Sequence, residues 1–200
     1  MPTFSPVLFA LVTGYLCGSI PSAVIIAKIM HLPDPRTLGS KNPGATNMMR
    51  LGGKKVGAMT FLFDALKAFV PVLVAKQYYP EAVVLSVMLG AFLGHIYSLF
   101  LKFKGGKGVA TGLGAWLGLS LPLGIAAMST WLFMAIVFRY SSLAALTSAI
   151  LAPFFCAYFL NVQAAVIVGS MSLLLILKHQ ENISKLVNGT ESKIGKKVHT

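Results

Sequence analysis

The chain has 200 residues, 56% of them hydrophobic and 11% charged, where a soluble domain carries roughly 25% charge, so the composition excludes an ordinary globular domain and indicates a membrane protein. A formal net charge of +12 would suggest nucleic acid in a soluble chain, but the aromatic residues lie in the apolar runs rather than among the lysines, so nucleic acid is not an expected partner. Cys17 and Cys156 both sit inside apolar runs, which calls for neither a disulfide framework nor a cysteine metal site.

Apolar runs cover residues 5–30, 56–75, 82–101, 109–138 and 143–178, each long enough for a bilayer core that takes about 20 helical residues. The first lacks the basic n-region of a signal peptide and reads as a retained span. The last two are too long for one crossing each, and both contain a break: Pro122 in one, Asn161 to Gln163 in the other. Splitting them predicts an all-α integral membrane protein of seven transmembrane helices, external amino terminus and cytoplasmic carboxyl terminus, forming a single domain over residues 1–200.

Charge checks this without using length. With seven spans and an external start, the inner side holds every basic residue except Lys67, within the second span, and Lys76, the one outside, which is 15 of 17 and includes Lys196 and Lys197. The polar inventory then gathers on the inner face in segments 31–54, 102–108, 139–142 and 178–200, where a site is expected. Asp64 and Lys67 stand at i,i+3 inside the second span and are expected to pair, as a relay or as a fastening between helices.

The inner segments carry the candidate chemistry. Arg36 to Arg50, RTLGSKNPGATNMMR, offers two arginines, a lysine, Ser40, Thr46, two asparagines and two glycines with no carboxylate. That is a list of donors for an anion, and a helix starting at Ala45 would add its amino-terminal amides. KFKGGKGVAT, Lys102 to Thr111, sets three lysines among three glycines in seven residues, as a phosphate cradle would. Ser or Thr does not follow Lys107, so it is not a nucleotide-hydrolysing P-loop. His95, one helix end earlier, reads as a structural histidine. In HQENISKLVNGTESK, His179 to Lys193, His179 and Asn182 share a helix face. Glu181 and Glu191 lack the histidine spacing of a zinc site, so neither a metal nor a cofactor is expected. Arg139, Tyr140, Ser141 and Ser142 add a shorter polar edge. Together these clusters suggest a site for two anions, or for one anion with two phosphates, in an enzyme or in an organic-phosphate carrier.

These motifs resemble those of the bacterial membrane acyl-phosphate:glycerol-3-phosphate acyltransferase family. The resemblance rests on GSxNxGATNxxR at Gly39 to Arg50, GH followed by FKGGKGVAT at Gly94 to Thr111, and HxxNIxxLxxGxExK at His179 to Lys193, with GSIP at Gly18 to Pro21 and the Asp64/Lys67 pair. It implies acyl transfer from acyl phosphate to the 1-hydroxyl of glycerol 3-phosphate, giving lysophosphatidic acid and inorganic phosphate at the cytoplasmic face of a bacterial inner membrane. The implied partners are glycerol 3-phosphate, acyl phosphate, membrane lipid and the soluble enzyme that makes acyl phosphate. By position it implies catalytic roles for Ser40, Arg50, Lys107, His179 and Asn182, and substrate contacts from Thr46, Asn47, Lys104, Gly105, Gly106 and Ser142. Ser98 and Lys185 stand where the family often has proline and arginine. The donor's own phosphate is the expected base, because a histidine surrounded by phosphate would be held protonated. The acyl chain is expected to lie along Gly112 and Gly114.

Overall fold

The computed structural model describes residues 5–195, so Lys196 and Lys197 of the basic tail lie outside the described residues. It is all-helical there: α1 Pro6–Ser19, α2 Ser22–Ile29, α3 Ala45–Tyr78, α4 Glu81–Ile96, α5 Val109–Leu119, α6 Leu121–Phe138, α7 Ser141–Phe159, α8 Val162–Lys178 and α9 Gln180–Val187, with a short 3₁₀ turn at Leu99–Leu101. The two breaks read from sequence are helix starts. Ser120 accepts a hydrogen bond from the Leu123 amide with Pro122 in the first turn of α6, and Asn161 accepts one from the Ala164 amide at the head of α8.

Three features were not legible. The first span is broken at Ile20–Pro21 into α1 and α2. In α3 the helix is interrupted at Gly53, whose φ of 85° and ψ of −179° only glycine adopts readily. α9 turns away from α8 by 61°. By length and composition, five helical stretches among the described residues can cross a membrane, with α1 and α2 taken together, or six if α8 and α9 count as one bent span. α5 has 11 residues, about 16 Å at the helical rise, and is too short for a crossing by that measure. It is also the helix with the most complete burial, Ala110 to Ala115 and Trp116 all lying inside the bundle.

The bundle is knit by small residues. A Cβ on Gly14 or Gly18 of α1 would fall 2.3 and 1.9 Å from the Val87 and Ala91 carbonyl oxygens of α4, and one on Gly90 or Gly94 would meet α1 as closely. Two interlocked small-xxx-small faces therefore bring these backbones into contact, the means by which helices associate where lipid removes the hydrophobic drive. Gly114 does the same for α5 against Ala65 of α3. Phe92 and Trp116 fill the centre, whereas Phe63, Val74, Phe133, Phe154 and Val166 point outward, as lipid contact requires. A smaller core of Ala23, Ile26, Ala27, Met48 and Val56 holds α2 against the start of α3. Starts of α3, α5 and α7 and ends of α4 and α8 thus meet at one end of the bundle, around a cavity.

Candidate functional site

That cavity has a volume of about 480 Å³ and takes residues from all four polar segments. Ser40, Thr46, Asn47 and Arg50 come from the first, Lys107 from the second, Ser141 and Ser142 from the third, and His179, Asn182 and Glu191 from the fourth. Toward the flank the lining turns apolar, with Ala58 and Phe61 of α3 facing Met128, Trp131 and Leu132 of α6. The Phe61 and Trp131 rings stand 6.1 Å apart, and Leu132 is half exposed on the lipid side. The buried Trp131 indole N–H has no partner. One end of the cavity suits anions and the other an apolar chain.

Each donor is held by its neighbours. The Asn47 amide is fully used within its own loop: Nδ2 donates to the Pro35 and Leu38 carbonyls at 2.8 and 3.1 Å, and Oδ1 accepts from the Ser40 amide at 3.0 Å. Asn47 therefore shapes the loop that presents Ser40. Thr46 Oγ1 and Ser141 Oγ are 3.0 Å apart, joining the heads of α3 and α7. Arg36 pairs with Asp34 at 2.6 Å and stays out of the cavity, while Arg50, on the turn before Gly53, lines it.

Lys107 donates to Asn182 Oδ1, and Asn182 Nδ2 donates to Glu191 Oε1 at 2.9 Å. The same oxygen accepts from Ser142 Oγ at 2.8 Å. Glu191 thus fastens the irregular segment after α9 to the head of α7, helped by the Ile194 amide on the Arg139 carbonyl at 2.7 Å. Burial pushes the Lys107 ammonium below its usual range, the carboxylates of Glu181 and Glu191 pull it back, and Lys185 and Arg50 add to the lowering. An anion in the cavity would meet a partly desolvated cation, where attraction is stronger than in water.

His179 lies just past the end of α8, 3% exposed, with Nδ1 donating to the Leu175 carbonyl at 2.8 Å. Burial above all, with Lys107 adding to it, pushes the imidazole down to about 4 despite the Leu175 bond and Glu191. In the empty site it is therefore neutral, with a lone pair on Nε2. The expectation of a histidine held protonated concerns a site filled with phosphate, whose charge opposes the effect of burial.

The geometry does correct the reading of the glycine-lysine stretch. Lys104 is exposed, and Lys104, Gly105 and Gly106 do not line the main cavity. The Gly105 and Gly106 amides, far from cradling an anion, donate to the Ile96 and His95 carbonyls, each at 3.1 Å. The loop is packed on the end of α4, and of its lysines Lys107 alone turns into the cavity. Gly112 and Gly114 lie away from it, so the apolar arm runs between α3 and α6 instead. Ser98 Oγ donates to the Ser19 carbonyl at 2.6 Å, a bond proline could not make, and Lys185 is exposed outside the cavity, so neither departure alters the lining.

Sequence reasoning missed Glu191, because a carboxylate looks wrong in an anion site until its two donors are seen. Asp64 and His95, read from sequence as a paired residue and a structural histidine, were not expected at the cavity, which they border from inside the bundle. Asp64 Oδ1 lies 2.8 Å from Lys67 Nζ and 3.6 Å from His95 Nδ1, and Lys67 also donates to the Ile20 carbonyl at 2.9 Å, where the first span is broken. The expected pair is present, with a histidine as its third member.

Residues 8–189 match the family described as glycerol-3-phosphate acyltransferase. Among curated relatives of that name, one from Albidiferax ferrireducens is 48% identical, covering 100% of this chain and 94% of its own. One from Dechloromonas aromatica is 49% identical over 96% of this chain and 98% of its own. Among solved structures, the glycerol 3-phosphate form of PlsY (YgiH), an integral membrane glycerol 3-phosphate acyltransferase, superposes with a TM-score of 0.89 at 38% identity, covering 96% of each chain. Its lysophosphatidic acid form gives 0.87 at 36% identity, again over 96% of each. Matching in sequence over nearly its whole length and in fold, the chain belongs to the glycerol-3-phosphate acyltransferase family of integral membrane proteins.

Proposed function

We propose that the protein transfers a fatty acyl group from acyl phosphate to the 1-hydroxyl of glycerol 3-phosphate, forming lysophosphatidic acid and inorganic phosphate. The observation that carries this reading is the shared cavity: cations, hydroxyls and other polar side chains from four distant segments at one end, an apolar arm open to lipid at the other. Relatives named for glycerol 3-phosphate acylation, and a solved structure in both substrate and product forms, support the same reading.

Acyl phosphate is a mixed anhydride and needs no enzyme nucleophile. It needs two mutually repelling phosphates brought together, and Arg50 and Lys107 in a partly dry site offset that repulsion while Ser40, Thr46, Ser142 and Asn182 orient the reactants. The glycerol oxygen attacks the acyl carbonyl carbon and the carbonyl-to-phosphate oxygen bond breaks. The hydroxyl proton goes to the leaving phosphate, which departs as hydrogen phosphate. The leaving phosphate gains negative charge as its bond to the carbonyl breaks, so its basicity rises as the hydroxyl proton is released. His179, with Nδ1 committed to the Leu175 carbonyl, accepts at Nε2 from the glycerol's 2-hydroxyl and orients the substrate, leaving the 1-hydroxyl proton for the phosphate.

The fold is proposed to cross a bacterial inner membrane seven times, amino terminus outside and cavity on the cytoplasmic face, with α5 shielded from lipid by its neighbours. Purified protein in liposomes, given labelled glycerol 3-phosphate and palmitoyl phosphate, tests the chemistry: labelled lysophosphatidic acid supports it, and trapped unmodified substrate means a carrier. Palmitoyl-CoA in place of the phosphate is expected to give no product.

A further inference from the structure

The main cavity and a smaller one beneath the Ile20–Pro21 break share two residues, Asp64 and His95. Both are nearly inaccessible, at 2% and 6% exposed. Nothing in the acyl transfer uses them, yet burying an ion pair beside a histidine is costly enough to need a reason.

Their contacts lead to the lysine loop. The His95 and Ile96 carbonyls accept the Gly106 and Gly105 amides. The His95 ring fills the space over Gly106 so closely that a Cβ there would fall 2.3 Å from Nε2 and 2.8 Å from Cε1. Thr111 Oγ1, in the first turn of α5, donates to the Asp64 carbonyl at 3.0 Å. The stretch from Gly105 to Thr111, with Lys107 inside it, is therefore seated at one end on His95 and at the other on Asp64. Lys67 gives the Asp64 carboxylate its partner, so no uncompensated negative charge borders a cavity suited to phosphate.

We propose that Asp64, fixed by Lys67 and acting through the His95 imidazole, is a positioning residue that seats the Gly105–Lys107 loop and aims Lys107 into the cavity. The inference rests on the proposed anion-binding role of that cavity. It assigns the buried triad to substrate affinity rather than to proton transfer.

The test uses purified full-length variants: His95→Ala, Asp64→Asn combined with Lys67→Met so that neither charge is left alone, and Gly106→Ala with and without His95→Ala. Each is first shown to melt as a folded protein. His95→Asn, which keeps a donor toward Asp64 but vacates the space over Gly106, replaces His95→Ala if the latter does not fold and carries the same expectation. Two readouts are taken: the KM and kcat for glycerol 3-phosphate, and the glycerol 3-phosphate concentration that half-maximally raises the melting temperature, which needs no turnover. The expected result is a tenfold or greater weakening in both KM and the thermal midpoint, with kcat changed less than threefold, for the His95 variant and for the Asp64/Lys67 double variant. Gly106→Ala should weaken binding similarly alone and add less than threefold when the ring is gone. Folded His95 or Asp64/Lys67 variants with wild-type affinity, or losses in Gly106→Ala and His95→Ala that multiply, overturn the proposal. Wild-type protein that neither binds glycerol 3-phosphate nor makes product overturns the functional reading instead.

Discussion

Gly105→Ala isolates the aim of Lys107 from its charge. A Cβ at residue 105 would stand 2.0 Å from the His95 carbonyl oxygen and 2.9 Å from that of Ile96. Both are backbone atoms inside or at the end of α4, so no side-chain rotation relieves the contact. Reaching ordinary contact at 3.4 Å requires the loop to move by about 1.4 Å, straining two hydrogen bonds worth about 1 kcal/mol each. Lys107 is two residues away and moves with it. A misplacement of about 1 Å at a reacting site costs on the order of 100-fold, or about 2.7 kcal/mol in the barrier. We expect kcat/KM for glycerol 3-phosphate, from initial rates of labelled lysophosphatidic acid formation, to fall about that much. Gly112→Ala, whose Cβ would find its nearest atoms at 3.6 Å, is the matched control and should stay within threefold of wild type. His95→Ala should not rescue Gly105→Ala, because the clash is with backbone. A folded Gly105→Ala protein with wild-type kcat/KM would refute the claim that this loop position governs catalysis.

Lys107→Met should raise the KM for glycerol 3-phosphate by roughly 10- to 100-fold, the loss of one hydrogen bond to a charged group, and an unchanged KM would remove Lys107 from the site. His179 carries a folded pKa of about 4 against an unfolded 6.5. The unfolded chain therefore binds the proton first, and its contribution, present above pH 6.5, is lost as pH falls toward 4. The apoprotein should lose about 1.6 kcal/mol of stability from this group between pH 6.5 and 5, and His179→Gln should show a flatter melting temperature over that interval. A parallel pH slope in the variant would contradict the burial argument. In the enzyme assay His179→Gln should raise KM more than it lowers kcat; a thousandfold fall in kcat with binding intact would make the histidine the base. Trp131→Ala enlarges the apolar arm and should shift the kcat/KM ratio of longer to shorter acyl phosphates by about tenfold, while no shift would put the chain elsewhere. Single cysteines at Tyr79 and Lys104, in a background lacking Cys17 and Cys156, should label from opposite sides of the membrane, and labelling from one side would overturn the seven-crossing topology.

What the sequence revealed followed from chemistry that acts locally. Helix positions were legible because apolar length and breakers such as Pro122 and Asn161 act within a few residues. The convergence of Ser40, Lys107 and His179 on one cavity was legible because the charge bias predicts a common side for their segments. What escaped depended on partners distant in the chain. The KGGKG run from Lys104 to Gly108 reads as an anion cradle until the amides of Gly105 and Gly106 are seen to be spent on α4. Gly112 and Gly114 offered room on paper, but in three dimensions Gly114 is packed against Ala65 and the open space lies between Phe61 and Trp131. Asn47 reads as a ligand by type and acts as a brace by geometry. Glu191 would have needed its donors Ser142 and Asn182 in view to explain a carboxylate among cations.

The central claim is that one cationic cavity joins two phosphate-bearing reactants at the membrane surface. Its most direct measurement is product formation by the purified protein from labelled glycerol 3-phosphate with acyl phosphate, beside an equal concentration of acyl-CoA. The account predicts labelled lysophosphatidic acid and released phosphate in equal amounts from acyl phosphate alone. No product from acyl phosphate, or equal product from the thioester, would contradict it.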